Sequence, residues 1–337
     1  MDTITHTVIG ACLGEAIAGK QLGKKAMLLG ALANNLPDID VITAFWTSET
    51  QALLLHRGIT HSIFFAVIFS PILAFIFKNI FKKYLVSFNQ WLLLFGSGLF
   101  IHIFIDGLTT YGTGWFEPFN HSRVSLNTIF ILDPLFSLPV LIATIALIIL
   151  KKDSVKRNKW WKTGLLASSI YLMFTIVNKL YVDQVVEKNL SAQHINYTNY
   201  MCTPTPINNF LWYIVAQSES QYYIGYYSLF DKDETIKFEK VRQNDSLLSL
   251  PCDPSQVKFL TRFSQGYYCA KLENDTIIFS DIRFGQLGGW YKNNTLFIFN
   301  FKMAKNCNNR TALQKGRFES FDKETTKQLF RRIKGKD

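Results

Sequence analysis

The chain of 337 residues contains no Cys-x-x-Cys pair; its five cysteines are Cys12, Cys202, Cys252, Cys269 and Cys307. That spacing excludes a paired-cysteine zinc site. The turn Tyr111-Gly112-Thr113-Gly114 is glycine-rich, yet nothing in it matches a phosphate-binding loop. No nucleic-acid motif accompanies the net charge of +11, so nucleic acid is not an expected partner. The N-terminus lacks the basic residues that precede the apolar run of a signal peptide, and Glu15 interrupts that run; a signal peptide is not expected. Basic residues are also scarce in two loops, 37–61 and 106–128, which hold only Arg57 and Arg123.

Apolar residues are abundant and unevenly spread. Runs of Ile, Leu, Phe and Ala crowd the chain before about Tyr181, whereas the remainder alternates apolar with polar residues. The expected fold class is an α-helical multi-pass membrane domain over 1–180, a linker over 181–200, and a small antiparallel β-rich soluble domain over 201–337. Segments 62–77, 91–105, 135–150 and 164–177 are the clearest spans, each slightly short of the ~20 apolar residues that cross a bilayer. Segments 7–18 and 26–36 are shorter and read equally well as a buried hairpin or as two crossings.

Lysines sort these segments by side. Lys20, Lys24 and Lys25 follow the first, Lys78, Lys82 and Lys83 the third, and Lys151, Lys152, Lys156, Arg157, Lys159 and Lys162 the fifth. By the positive-inside rule those loops are cytoplasmic, and the other loops and the C-terminal half face outward.

Against that map the polar residues of the apolar half stand out. His6, Asp38, Asp40, His56, His61, His102 and Asp106 fall at the outward ends of their segments, and five of the six histidines precede residue 122. Ionisable groups are expensive at such positions, which points to joint use. His102 and Asp106 are four apart and share one helical face. His56 and His61 are five apart, about 500° around a helix, so they cannot share a face. Gly58 between them permits a turn, with Thr60 as helix cap, and brings one imidazole from the turn and one from the first helical turn. Asp38 and Asp40 are two carboxylates close enough to repel unless a cation or a shared proton relieves them. Elsewhere, Asp133-Pro134 reads as a helix N-cap followed by a first-turn proline, and His121 lies in a polar loop with no evident partner.

These motifs carry a resemblance. Residues 1 to about 180 resemble the YdjM-like family of bacterial, membrane-bound proteins assigned as metal-dependent hydrolases. The matching pieces are Thr5-His6, Leu36-Pro37-Asp38-Ile39-Asp40, His56-Arg57-Gly58-Ile59-Thr60-His61-Ser62, His102-Ile103-Phe104-Ile105-Asp106 and Asp133-Pro134. The resemblance implies an inner-membrane location and a metal-assisted hydrolysis. More distantly, the family resembles the helical zinc-dependent phospholipase C and single-strand nuclease group. The C-terminal half is similar to an extension found in some members, around Pro204-Thr205-Pro206, Leu211-Trp212 and Asp281-Ile282-Arg283-Phe284.

The expected site is a divalent-metal centre, Zn²⁺ or else Mn²⁺, held by His56, His61, His102 and Asp106. Asp38, Asp40 and His6 would complete a second metal position or serve as base, and Arg57 would meet a substrate phosphate as a fork. Membrane lipids are the expected surroundings, and a small-molecule or lipid phosphoester is the expected substrate. Two other readings stand beside it: a non-enzymatic metal-binding or ion-relay protein, and a membrane anchor for a β-domain that binds a partner. In the β-rich half the sequence places strands at 210–216, 221–230, 266–272, 276–284 and 295–303, separated by turns such as Asn274-Asp275 and Asn293-Asn294. Its four cysteines suggest up to two disulfides, and the basic tail reads as a solvated amphipathic helix over about 322–333.

Overall fold

The computed structural model describes residues 1–251, 253–274, 276–292, 295–304, 312–313 and 322–335. The chain divides into two compact units, Met1–Thr43 with Leu55–Ile176, and Ala44–Leu54 with Val177–Asp337.

The first unit is helical. Asp2 caps α1 (Thr3–Leu22) by accepting from the Thr5 amide at 2.9 Å. Gly23, at φ +61°, is the single residue joining α1 to α2 (Lys24–Asn35). The pair forms a tight antiparallel hairpin because Gly10 and Gly14 face Gly30 and Ala26; a methyl on Gly14 would overlap the Ala26 carbonyl. This is the small-residue contact by which apolar helices approach closely. A 3₁₀ segment, Leu36–Phe45, and α3 (Glu49–Leu55), nearly all of which falls in the second unit, precede the short turn Ile59–His61. Ser62, not Thr60, caps α4 (Ile63–Ile80), accepting from the Phe65 amide at 3.0 Å. A Ser87/Gln90 capping box opens α5 (Phe88–Gly107), and Asp133 opens α6 (Pro134–Ile149), as its place before Pro134 suggested.

The next helix, α7 (Lys156–Ala192), continues through most of the stretch expected as a linker. Among the described residues, three helices, α4, α5 and α7, are long and apolar enough to cross a membrane; α6 is apolar and shorter. Arg157 is not one of the loop cations it was grouped with. Its guanidinium donates to both Glu15 oxygens, Nε at 2.7 Å and Nη2 at 2.6 Å, and Nη1 donates to the Leu147 carbonyl at 2.7 Å. Glu15, which breaks the first apolar run, is thereby paired inside the helical unit.

Among the described residues, the second unit holds two four-stranded antiparallel sheets. One runs in the order β1 (Asn199–Pro204), β2 (Leu211–Gln217), β3 (Gln221–Ser228), β4 (Glu239–Arg242). After α8 (Pro254–Phe263) the other follows as β5 (Tyr268–Glu273), β6 (Thr276–Gln286), β7 (Phe297–Ala304), β8 (Ala312–Leu313). One face of the first sheet packs against Val182, Val185, Val186 and Leu190, so the end of α7 belongs to this core. Tyr213 and Val215 on the other face meet Tyr267, Cys269 and Ile282 of the second. The closing helix α9 (Lys323–Ile333) is not solvated on all sides; Leu329 and Ile333 pack beside Leu211 and Trp290, and Arg332 pairs with Asp231. Cys202 and Cys269 carry free thiols, so neither joins the suggested disulfides; Cys252 and Cys307 lie outside the described residues, as do Asp275, Asn293 and Asn294 of the suggested turns.

The Glu15–Arg157 pair gives a direct prediction. Arg157→Met leaves a buried carboxylate without its partner and should destabilise the helical unit by about 3–5 kcal/mol. Adding Glu15→Gln should recover most of that loss. Thermal unfolding in detergent of the single and double variants reads the difference.

Candidate metal centre

Four side chains from three segments converge at the N-terminal end of α4 and the C-terminal end of α5. Asp38 comes from the 3₁₀ segment, His61 from the turn before α4, and His102 and Asp106 from the last turns of α5. Two glycines lie at the approach, and at Gly98 the lack of a side chain is required. Gly58 ends the Leu55–Gly58 turn, its amide 3.0 Å from the Leu55 carbonyl, and a methyl on Gly98 would strike Ala33 of α2. Arg57 takes φ +61°, so the turn also needs one left-handed non-glycine residue.

The ring nitrogens are fixed from behind. His102 Nδ1 donates to the Asn34 carbonyl at 2.5 Å. A carbonyl only accepts, so the neutral ring carries its lone pair on Nε2. His61 Nδ1 faces Asp40 Oδ2 at 3.2 Å and Thr60 Oγ1 at 3.1 Å, which sets the same tautomer. Both Nε2 atoms then point at each other, 3.0 Å apart. Asp38 Oδ1 lies 3.3 Å from His61 Nε2 and 3.6 Å from His102 Nε2, and Asp106 Oδ2 is 3.5 Å from each.

Four electron-rich atoms at such distances fit one small cation. A tetrahedron with ~2.0–2.1 Å from centre to corner has edges of ~3.3–3.4 Å, and the five separations above run from 3.0 to 3.6 Å. Asp106 Oδ2 is buried and makes no hydrogen bond; the positive charge beside it is the Arg57 guanidinium, whose Nε lies 3.0 Å away. Burial opposes a charge on His61, yet Asp106, Asp38 and Asp40 outweigh it and raise the imidazole from 6.5 to about 9. Burial would likewise raise Asp38 and Asp40, but the histidines hold both carboxyls below the usual carboxylate range, His102 and His61 at Asp38, His56 and His61 at Asp40. A site that keeps a proton on His61 by the field of three carboxylates has the charge balance of a cation site.

The remaining expected residues stand around these four. Asp40 has both oxygens engaged: Oδ1 with His56 Nδ1 at 2.8 Å, Oδ2 with the Arg57 amide at 2.9 Å and the Thr60 hydroxyl at 2.8 Å. It therefore stands behind His61 as an orienting carboxylate. His56 is outside the four-atom cluster, although Asp38, Asp40 and His56 form a second group with ligand atoms within 4.8 Å of one another. His6 faces the other oxygen of Asp106, Nε2 to Oδ1 at 3.1 Å, and stacks on His102 with centroids 3.8 Å apart. The Met1 amine meets the same Asp106 oxygen.

Arg57, expected at a substrate phosphate, is instead 3% exposed. Its Nε lies 3.0 Å from Asp106 Oδ2, its Nη1 donates to Thr109 at 2.9 Å, and its guanidinium covers the Tyr111 ring. His121 pairs with Glu117 at 2.7 Å, exposed and apart from the cluster.

Sequence reasoning missed three supports. The Asn34 carbonyl anchors His102 and leaves no side-chain signal. Thr109, three residues after Asp106, also bonds the Asp106 carbonyl at 2.8 Å. Arg123 Nη2 ties the loop by donating to the carbonyls of His56 and Gly112; its rarity among the cations of these loops was the available clue.

The chain is similar to the inner membrane protein YbcI of Escherichia coli (strain K12), 31% identical over 122 residues, which cover 36% of this chain and 69% of that protein. It is also similar to the uncharacterized protein YfhP of Bacillus subtilis (strain 168), 30% identical over 145 residues, 40% of this chain and 42% of that protein. No solved structure matches. The model of the YdjM inner membrane protein family matches residues 1–182. That span is more than half of the chain and contains every residue of the cluster, and the chain therefore belongs to the YdjM inner membrane protein family.

Proposed function

We propose that this protein is a metal-dependent hydrolase of phosphoesters. The observation that carries the reading is the convergence of His61 Nε2, His102 Nε2, Asp38 Oδ1 and Asp106 Oδ2 at tetrahedral-edge spacing. Those four residues would hold one divalent ion, with Zn²⁺ favoured by the mixed imidazole and carboxylate set and Mn²⁺ as the alternative. The ion would supply Lewis acidity and lower the pKa of a bound water towards ~7.

The chain's own residues do the rest. Asp40 fixes the tautomer and angle of His61, and the Asn34 carbonyl does the same for His102. Arg57 and His6 flank Asp106 and hold its carboxylate in place, which makes them positioning residues. Asp38 and His56 are the polar groups of the site that reach solvent, with side chains 22% and 27% exposed. His56 Nε2 is thus the group placed to take up or release a proton at the mouth, with Asp40 behind its Nδ1. The lysine distribution supports an outward-facing site and an extracytoplasmic C-terminal domain.

Two measurements test this. Asp40→Asn keeps the size of the side chain but weakens its hold on His61 Nδ1–H. It should lower metal affinity about 10–100-fold in a chelator competition, with His61 itself still present. Metal-loaded protein should hydrolyse bis-p-nitrophenyl phosphate, lose the activity to a chelator and regain it on adding zinc or manganese. His102→Ala should reduce turnover at least ~100-fold. Metal-loaded protein with no activity on phosphate mono- or diesters would leave a metal-binding protein without the proposed chemistry.

A further inference from the structure

The rim of the site is as telling as its floor. His61 and His102 are fully buried and the Asp106 side chain is 1% exposed, whereas Asp38 and His56 are partly exposed and mark the solvent side of the cluster. The residues interleaved with these ligands are large, apolar and exposed. Ile39, between Asp38 and Asp40, is 57% exposed; Ile59, two residues before His61, is 53% exposed; Ile42 and Ile63 are exposed as well. Phe64 meets Phe119 edge-on at 5.5 Å, and the Ile63 amide donates to the Trp115 carbonyl at 3.0 Å, which ties the 115–119 loop to the same rim.

A mouth serving a water-soluble phosphoester would be expected to carry polar and cationic side chains. Here Arg57, the nearest cation in sequence, is buried against Asp106, Arg123 is engaged with the His56 and Gly112 carbonyls and the Tyr111 ring, and the exposed side chains interleaved with the ligands are apolar, as at a binding or membrane surface. They do not stop at the site. Val67 and Ile68, one turn further along α4, are also exposed, on a helix apolar enough to cross a membrane. The rim is thus continuous with the lipid-facing side of a span, and the same short peptides carry both the apolar side chains and the ligands.

Building on the hydrolase reading, we propose that the substrate is a membrane lipid phosphoester that enters sideways from the bilayer. Its acyl chain lies along Ile59, Ile63 and Phe64, and its phosphate enters the mouth beside His56. In the reaction water adds its oxygen to phosphorus, the P–O bond to the leaving alcohol breaks, and that alcohol takes up one proton from the water. The phosphate product keeps or releases the other. No redox partner is needed.

The test uses two chromogenic diesters that release the same phenolate, p-nitrophenyl dodecyl phosphate and p-nitrophenyl methyl phosphate, with the full chain in lipid nanodiscs. Wild type should favour the dodecyl ester at least tenfold in kcat/KM. Ile59→Ser/Phe64→Ser should lower that preference at least fivefold relative to wild type in the same lipid, a ratio from which substrate partitioning cancels. Phe119→Ser, in a loop and 80% exposed, gives a second variant whose folding is not at risk, and it should shift the ratio in the same direction. Hydrolysis of both esters with equal kcat/KM, or a preference that neither variant changes, overturns the lipid inference and leaves the hydrolase reading standing. Metal-loaded protein that cleaves neither ester overturns both.

Discussion

The Asp106 carboxylate is the constraint on which the helical unit depends. It is fully buried, and both of its oxygens face polar groups. His6 and the Met1 amine sit at Oδ1; Arg57, His61 and His102 surround Oδ2. Taking a carboxylate out of water costs several kcal/mol even after relaxation, so its partners must arrive from different parts of the chain and be held there. His6 comes from α1, Arg57 and His61 from the turn before α4, and His102 from one turn back on α5. The helices that position these groups are fixed by other means: glycine contact between α1 and α2, capping at Ser62 and Ser87, and the Glu15–Arg157 fork. The site is built where their ends meet.

This dependence explains why two carboxylates and two imidazole lone pairs are tolerated so close together. Each ring is locked from its Nδ1 side, His102 by a backbone carbonyl and His61 by Asp40, so neither can turn its lone pair away. The residual repulsion has to be met by a proton on His61 or by a cation. A proton neutralises one contact; a divalent ion at the centre meets all four. The same argument separates ligands from supports. Asp40 is already saturated by hydrogen bonds from His56, Thr60 and the Arg57 amide, whereas Asp106 Oδ2 makes no hydrogen bond and is held by its ion pair with Arg57.

Much of this was legible in the sequence because the local rules are strong. The i, i+4 spacing of His102 and Asp106 needs only a helix, and Gly58 between His56 and His61 needs only a turn. The apolar runs announced the helical half, and alternating aromatics placed β2, β3, β5, β6 and β7 within a few residues, while β1 and β8 went unread. What the sequence did not reveal depends on tertiary placement. Glu15 and Arg157 are 142 residues apart, and nothing local says that one cation in a lysine-rich loop folds inward. Which of seven polar residues touch the centre depends on the register of the 3₁₀ segment 36–45, which brings Asp38 in and leaves Asp40 behind His61. β4 (Glu239-Lys240-Val241-Arg242) escaped because it is a polar edge strand with no apolar pattern to read. The end of α7 carried its signal in Val182, Val185, Val186 and Leu190, a helical stripe within the stretch read as a linker.

The most direct test is the metal itself, measured by mass spectrometry on the detergent-purified chain, with a His61→Ala/His102→Ala variant of the same fold alongside. The account predicts a transition metal at about one equivalent per wild-type chain, after supply of zinc or manganese if purification strips it, and its loss from the variant. Wild-type protein that binds no metal even when zinc or manganese is supplied, or a variant that keeps it, would contradict the assignment of these four side chains as a metal centre.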